Sequence, residues 1–129
     1  ETRLAIIPGA GGTQRLPRIV GKNMAKEMIF TGKMLTASEA LNVGLANRVI
    51  EHDHLMEETL KTASLISTKG VVSLQEAKKT VNLGLDLDIN NGCIFESEAF
   101  GICFSSEDSK EGISSFLEKR KAEFKGTLK

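Results

Sequence analysis

The segment ETRLAIIPGAGGTQRLPR, residues 1–18, decides how the chain begins to fold. Its apolar run, Leu4 to Ile7, is followed at once by Pro8 and the Gly9-Ala-Gly-Gly12 cluster. Because proline and neighbouring glycines interrupt regular structure, we predict a short buried strand or extended segment that enters a glycine-rich turn. A helix of one or two turns is predicted over residues 13–20, closed by Gly21.

The glycine-rich turn is the sharpest local feature of the sequence. Such a turn lets backbone N–H groups approach a ligand closely, and a helix that follows it presents its positive end to an anion. The residues nevertheless lack the spacing of a GxGxxG motif and the Gly-Lys-Ser/Thr ending of a P-loop. Taken alone, the turn indicates either a structural turn or a ligand site.

The rest of the chain is patterned mainly for helices. A helix is predicted from Asn23 to Thr31, and Thr36 and Glu39 form a capping box before a short helix over 37–43. Side chains that alternate between two faces over residues 45–50 predict a short strand, and Asp53 is expected to cap the next helix. Further helices are predicted over 71–84, over 88–104 and from Ser106 onward. The fold class is therefore α/β, mostly helical with one or two short strands. So few strands cannot form a sheet alone, which suggests that part of a larger assembly is missing.

Composition and charge narrow the class of protein. The 129 residues suffice for one domain, and 40% hydrophobic with 26% charged residues is typical of a globular chain. Seventeen Lys+Arg balance seventeen Asp+Glu, which argues against a module that holds nucleic acid by its phosphates. The longest apolar run is too short to cross a membrane, so we expect a soluble intracellular protein. Because the sequence opens on Glu1 and not on Met, we also expect a piece of a longer chain.

Cysteine and histidine counts restrict the possible chemistry. Cys93 and Cys103 fall on different faces of one predicted helix, so a disulfide between them is not expected. His52 and His54 could present two imidazoles, but a solvated turn is the preferred interpretation, and no metal site is predicted. Without a Cys-His pair or a Ser-His-Asp set, chemistry must come from carboxylates and backbone amides.

Several long segments, in order, resemble the enoyl-CoA hydratase (crotonase) family. These are residues 1–18, Lys26-Glu-Met-Ile-Phe-Thr-Gly32, residues 40–48, Phe95-Glu-Ser-Glu-Ala-Phe100, Ser106-Glu-Asp-Ser-Lys-Glu-Gly112 and Phe116-Leu-Glu-Lys-Arg-Lys121. The resemblance covers about the C-terminal half of a crotonase. It implies a crotonase-like fold in which residues 1–129 form the C-terminal part of one domain, with 1–50 ending the spiral core and 51–129 forming a helical trimerisation region.

The resemblance also implies a reaction and roles for particular residues. Crotonases add water reversibly to the double bond of a 2-trans-enoyl-CoA, using two glutamates and two backbone amides. Glu1 matches the second glutamate, and Gly9 matches the turn residue whose amide helps to position the water. The first glutamate and the other amides lie upstream in family members. Without the resemblance, Glu1 would be read only as a frayed terminal carboxylate.

The resemblance implies that Phe100 and Lys119 match positions that line the coenzyme A or acyl site, and Leu4 could border the acyl pocket, although a core role is preferred for it. Phe100 fits either ligand contact or core packing. Lys119 either meets coenzyme A phosphates or is a solvated charge in a basic tail. Coenzyme A is part of the substrate, so no separate cofactor is expected. Arg15 and Arg18 are expected to anchor the helix that follows the turn.

Several points stay open at the level of sequence. The Phe95–Phe104 and Lys119 regions resemble bacterial short-chain hydratases or 3-hydroxybutyryl-CoA dehydratases, whereas residues 1–18 also resemble methylglutaconyl-CoA hydratases, so the substrate stays open. Family members imply a homotrimer or a dimer of trimers, without a membrane or nucleic acid partner, in the bacterial cytoplasm or the mitochondrial matrix. The alternative function is a non-catalytic crotonase-like fragment that acts as an assembly module.

Overall fold

The computed structural model describes residues 1–126 and is helical in character. The α-helices of this range are α1 (Gly12–Val20), α2 (Lys22–Thr31), α3 (Ala37–Asn42), α4 (Leu55–Ser67), α5 (Val71–Gly84), α6 (Ile89–Ser105) and α7 (Glu107–Leu117). Single 3-10 turns lie at Thr2–Leu4 and His52–His54. The chain divides into two compact units, the first being Glu1–Leu55 and the second beginning at Met56.

The two predicted strands are wrong, because no strand occurs between residues 1 and 126. Leu4 instead ends a 3-10 turn, and its N–H donates to the Glu1 carbonyl (2.8 Å). Ala5 follows in the left-handed conformation with φ 56°. In the second segment, the N–H groups of Leu45 and Ala46 both donate to the Ala40 carbonyl at 2.8 and 3.1 Å. A strand needs a neighbour that completes its hydrogen-bond ladder, and local turns take these donors instead.

The first unit is built on the packing of α1 against α2, with the Thr2–Leu4 turn also against α2. Ala25 is buried at their junction. The Thr2 hydroxyl donates to the Ile29 carbonyl (2.7 Å), and the Arg3 guanidinium donates to the Gly32 carbonyl (3.2 Å). These two side-chain bonds fasten the N-terminal turn to the end of α2.

The predicted capping box at α3 is confirmed. The Thr36 hydroxyl accepts the Glu39 N–H at 3.2 Å, while Glu39 Oε2 accepts the Thr36 N–H at 2.9 Å. Lys33 adds an ion pair to Glu39 Oε1 at 3.0 Å. The helix ends at Asn42, one residue earlier than predicted.

The predicted capping role of Asp53 is wrong. Asp53 lies inside the 3-10 turn His52–His54, and α4 continues directly from that turn at Leu55. His52 and His54 are both exposed. Within the part of the chain that the structure describes, no three His, Cys, Asp or Glu residues converge as a metal site would require.

The second unit is organised by α5 and α6, which pack along each other, with α7 against α6. Val72 and Ala99 are its buried apolar side chains among the described residues. Asp88 caps α6 by accepting the N–H groups of Asn90 and Asn91, both at 3.1 Å. The predicted start of the last helix at Ser106 is confirmed, since its hydroxyl accepts the Ser109 N–H at 3.1 Å.

An internal carboxylate ties the end of the described chain to α7. Asp108 is 6% exposed, and its two oxygens accept the N–H groups of Lys125 (2.6 Å) and Gly126 (2.9 Å). Because a buried carboxylate is costly without hydrogen bonds, these two bonds hold the segment in place.

No helix within residues 1–126 is both long enough and apolar enough to cross a membrane.

Acid should weaken the α3 cap. The Thr36 N–H, then the Lys33 ammonium and the Thr36 hydroxyl, lower the pKa of Glu39 from 4.5 to about 2. A depressed native pKa contributes stability above the unfolded pKa, and this contribution is lost as the pH falls through the native value. We expect Glu39→Gln to lower the urea midpoint at neutral pH, with a difference from wild type that narrows between about pH 5 and about pH 2.

Circular dichroism measures these midpoints, and Glu27→Gln, at an exposed carboxylate on α2, is the control. A difference that stays constant across this pH range would contradict the role of the Glu39 charge.

Candidate active site

Glu1 and the glycine-rich turn lie together in the first unit. They form the wall of a cleft of about 250 Å³ whose lining residues are Glu1, Thr2, Pro8, Gly12, Leu16, Met28, Ile29, Gly32 and Lys33. Glu1 is exposed and starts the 3-10 turn, and its carbonyl accepts the Leu4 N–H. The structure thus brings the predicted carboxylate beside the predicted turn, while Gly9 lies one residue outside the lining.

The turn reverses the chain through two left-handed residues. Ala10 has φ 49° and Gly11 has φ 86°, and the Gly12 N–H donates to the Gly9 carbonyl at 3.0 Å. Among residues 1–126 the N–H groups of Gly9 and Ala10 donate to no other backbone or side-chain group. Two free donors next to the N-terminus of α1 can stabilise an anion or a developing oxyanion.

Gly9 and Gly11 are glycines for different physical reasons. A Cβ on Gly11 would lie 2.4 Å from the Arg15 Nη1 atom, which would have to shift, and the left-handed φ of Gly11 strains any residue that has a Cβ. A Cβ on Gly9 would meet nothing within 4 Å, and its φ lies outside the left-handed range. The packing of this chain therefore leaves open space at Gly9, as close approach of a ligand requires.

Arg15 fixes the turn from within the same chain. Its Nη2 atom donates to the Ala10 carbonyl at 2.9 Å across the turn. Arg18 donates to the Gln14 carbonyl at 3.0 Å, within α1. Of the two arginines expected to anchor this helix, Arg15 bonds to the turn itself, whereas the Arg18 bond to Gln14 stays within α1.

Leu4 is 76% exposed and does not line the cleft at Glu1. A core role for Leu4 is therefore not seen within this chain. Its predicted place at the border of the acyl pocket stays a prediction.

Phe100 lies in the second unit beside an apolar pocket of about 320 Å³. Its ring stacks on Phe104 with centroids 6.0 Å apart, yet 67% of the residue is exposed. The pocket is lined by residues of α5, α6, α7 and the last described segment: Gly70, Ser73, Phe100, Cys103, Phe104, Ser106, Asp108, Ser109, Gly112, Ile113 and Phe124. Phe100 thus fills no closed core and borders an open apolar space.

Lys119 is exposed at the end of α7 and does not line the Phe100 pocket. It has a left-handed φ of 55°, which is uncommon for a residue with a Cβ. The structure therefore does not bring Phe100 and Lys119 into one pocket.

The thiol of Cys103 is not activated. Both cysteines, Cys93 and Cys103, are unpaired. Burial, and after it the charge of Glu76, raises the pKa of Cys103, which keeps its thiol protonated and weakly nucleophilic. The groups available for chemistry are therefore the carboxylate of Glu1, whose residue lines the cleft, and the free N–H groups of Gly9 and Ala10 in the adjoining turn.

A family model described as enoyl-CoA hydratase/isomerase matches residues 1–127. The chain belongs to this family. It is 45% identical over 124 residues to a crotonyl-CoA hydratase of Syntrophomonas wolfei, covering 96% of this chain and 48% of that protein. It is 50% identical over 116 residues to a short-chain-enoyl-CoA hydratase of Clostridioides difficile, covering 90% of this chain and 75% of that protein.

The structure of this chain is also similar to solved structures of enoyl-CoA hydratases. A crystal structure of enoyl-CoA hydratase from Bacillus anthracis superposes with a TM-score of 0.93 at 40% identity, covering 98% of this chain and 49% of that one. The predicted crotonase-like fold and its mostly helical character are confirmed. The chain spans about half the length of the Syntrophomonas and Bacillus proteins.

The two glycines of the turn should respond differently to alanine. Gly11→Ala should lower the free energy of unfolding by about 1 to 2 kcal/mol, because an L-residue is strained at this φ and its Cβ displaces Arg15. Gly9→Ala should change it by less than about 0.5 kcal/mol, since the space is open.

Chemical denaturation monitored by circular dichroism compares the two variants. Equal destabilisation by both would contradict the assignment of the open space to Gly9.

Proposed function

We propose that this chain is part of an enoyl-CoA hydratase that adds water reversibly to the double bond of a 2-trans-enoyl-CoA. The observation that carries the proposal is that Glu1 lines one cleft with Pro8 and Gly12, the residues on either side of the turn whose Gly9 and Ala10 N–H groups are free. Membership of the enoyl-CoA hydratase/isomerase family supports the reaction class. The names of the relatives support a short-chain acyl group such as crotonyl.

The reaction needs two proton transfers and one anion site. The water oxygen bonds to the β-carbon of the enoyl thioester and gives up a proton, while the α-carbon receives a proton. Between these steps, negative charge develops on the thioester oxygen, where amide donors stabilise the enolate. The product is a 3-hydroxyacyl-CoA, and no electron acceptor or donor is consumed.

Glu1 is proposed to carry one of the two proton transfers. A carboxylate can accept a proton from water, and when protonated it can return one. One carboxylate cannot easily do both at once, so a second carboxylate is proposed to come from polypeptide outside this sequence. Gly9 is proposed to position the water through its N–H, which is free in the described chain.

Substrate contacts are proposed at Leu4, Phe100 and Lys119. The exposed ring of Phe100 beside its apolar pocket suits an acyl or coenzyme A group, and the ammonium of Lys119 suits the phosphates. Acid-base catalysis with amide donors needs no further group, so coenzyme A is proposed to enter only as part of the substrate.

Replacing Glu1 should remove hydration. Glu1→Gln cannot exchange the proton, so we expect the turnover number to fall about 10²- to 10⁴-fold while the protein remains folded. The assay follows loss of the ultraviolet absorbance of crotonyl-CoA, with Glu27→Gln as the matched carboxylate control.

The chain is assayed both alone and together with the upstream half of a relative. Turnover by the chain alone that Glu1→Gln abolishes would exclude the non-catalytic assembly module. Turnover that is unaffected by Glu1→Gln in either setting would overturn the role of Glu1.

The assembly is proposed to be a homotrimer or a dimer of trimers that uses the helices after residue 50. Exposed apolar side chains at the end of α7 support this, with Phe116 at 82% and Leu117 at 73% exposure. Phe116 and Leu117 are neighbours in the chain, and adjacent large apolar side chains that are both this exposed are typical of a contact surface.

Charge on that surface should dissociate the assembly. Phe116→Asp should raise the dissociation constant at least about tenfold, because a carboxylate would be desolvated in the contact. Analytical ultracentrifugation measures this, and Phe30→Asp, at a 74% exposed residue of α2, is the control. A chain that sediments as a monomer before any substitution would contradict the proposed assembly.

A further inference from the structure

The end of α7 adopts a compact cap with a lysine in the place where glycine is usual. The Lys119 N–H donates to the Phe116 carbonyl at 3.3 Å, and the Arg120 N–H donates to the Ser115 carbonyl at 3.0 Å. This pair of bonds defines a Schellman cap, whose left-handed position is held here by Lys119 with φ 55°. Glycine would adopt this φ without steric cost, whereas the Cβ of lysine is strained there.

A polar clamp surrounds this strained residue. The guanidinium of Arg120 makes a two-pronged ion pair with Glu111, with Nη1 to Oε1 at 2.6 Å and Nη2 to Oε2 at 2.9 Å. The Arg120 Nε atom also pairs with Glu118 Oε2 at 2.5 Å. Glu111 Oε1 also accepts the Glu123 N–H at 2.9 Å, so one carboxylate of α7 holds Arg120 and Glu123, which both follow Lys119.

The clamp is charged throughout the neutral range. Arg120 first, and then the Glu123 N–H, lower the pKa of Glu111 to about 2. The Glu111 carboxylate therefore stays charged and paired with Arg120 at neutral pH. A two-pronged pair between arginine and a carboxylate fixes the orientation of the two groups as well as their distance. Residues 118 and 120, which flank Lys119, are both held by this network.

We propose that Glu111 is a positioning residue: through Arg120 it holds Lys119 in the left-handed conformation from which the ammonium group meets the phosphates of coenzyme A. This inference rests on the proposed function of the chain. A lysine is a flexible point charge, and fixing its backbone beforehand reduces the entropy lost when it binds an anion. The strain at Lys119 is then the cost of presenting a cation where glycine would be more stable.

The first test separates the nucleotide part of the ligand from the acyl part. In Glu111→Gln, titration calorimetry should give a dissociation constant for crotonyl-CoA raised about two- to fivefold, the range of one exposed ion pair. Binding of S-crotonyl-N-acetylcysteamine, which lacks phosphates, should not change. Glu57→Gln, at an exposed carboxylate paired with Lys61 on α4, should change neither.

A second variant separates strain from binding. Lys119→Gly removes the strained Cβ and the cation together, so its melting temperature should rise while its affinity for crotonyl-CoA falls at least as far as in Glu111→Gln, where the ammonium group remains. Combining the two substitutions should cause no further loss, because both act through the same ammonium group. Unchanged crotonyl-CoA affinity in Lys119→Gly would overturn the inference even if Glu111→Gln fails to fold.

A readout without ligand tests the clamp itself. The N–H and Hα of one residue lie closer together at a positive φ than at a negative one, so the nuclear Overhauser effect between these two protons of Lys119 should be strong in wild type and weaker in Glu111→Gln, where the conformation averages. A positive φ that persists in the variant would overturn the positioning role.

Failure of the proposed function has a different signature. If the wild-type chain, alone and with the upstream half of a relative, binds neither crotonyl ligand, the proposed function and the coenzyme A part of the inference both fall, whereas the resonance experiment still decides the clamp.

Discussion

The reversal of the chain at Ala10 and Gly11 is the constraint on which the candidate active site depends. Two successive left-handed residues turn the segment from Glu1 back so that α1 begins at Gly12. Arg15 reaches from the second turn of that helix to the Ala10 carbonyl and fastens the reversal. Because the turn ends the segment so sharply, the carboxylate of Glu1 and the N-terminus of α1 share one cleft. A carboxylate and free amide donors are the groups that a hydration of an enoyl thioester requires.

In the second unit, where few apolar side chains are buried, polar contacts hold the last described segment against α7. The buried apolar side chains of the described chain are Ala25, Val72 and Ala99, and many larger ones are exposed. Around α7, Asp108 holds the backbone of 125–126 and Glu111 holds Arg120, so hydrogen bonds to carboxylates fix the last described segment. The Glu111 contacts also hold Arg120, which follows Lys119, the residue proposed to meet coenzyme A.

Predictions from the sequence succeeded where the deciding interactions are local. The Thr36 and Glu39 box and the Ser106 cap each join residues three positions apart, so their patterns are legible in the sequence. The strands over 4–7 and 45–50 were wrong because a strand depends on a distant partner, and alternation by itself supplies none. The prediction of an Asp53 cap is wrong because the His52–His54 3-10 turn runs directly into α4. The backbone carbonyl of His52 accepts the Leu55 N–H there.

Of the candidate site, the sequence by itself determined the family, the carboxylate and the glycine-rich turn, since these are carried by consecutive residues and their spacing. Only the tertiary structure decided that Glu1 lines a cleft with that turn, that Gly9 has open space while Gly11 does not, and that Phe100 and Lys119 do not share a pocket. It alone also revealed the Asp108 and Glu111 contacts, which join residues from 9 to 18 positions apart. The physical reason is that hydrogen bonds and sterics act through space, and no local pattern records which distant backbone group will come within about 3 Å of a carboxylate.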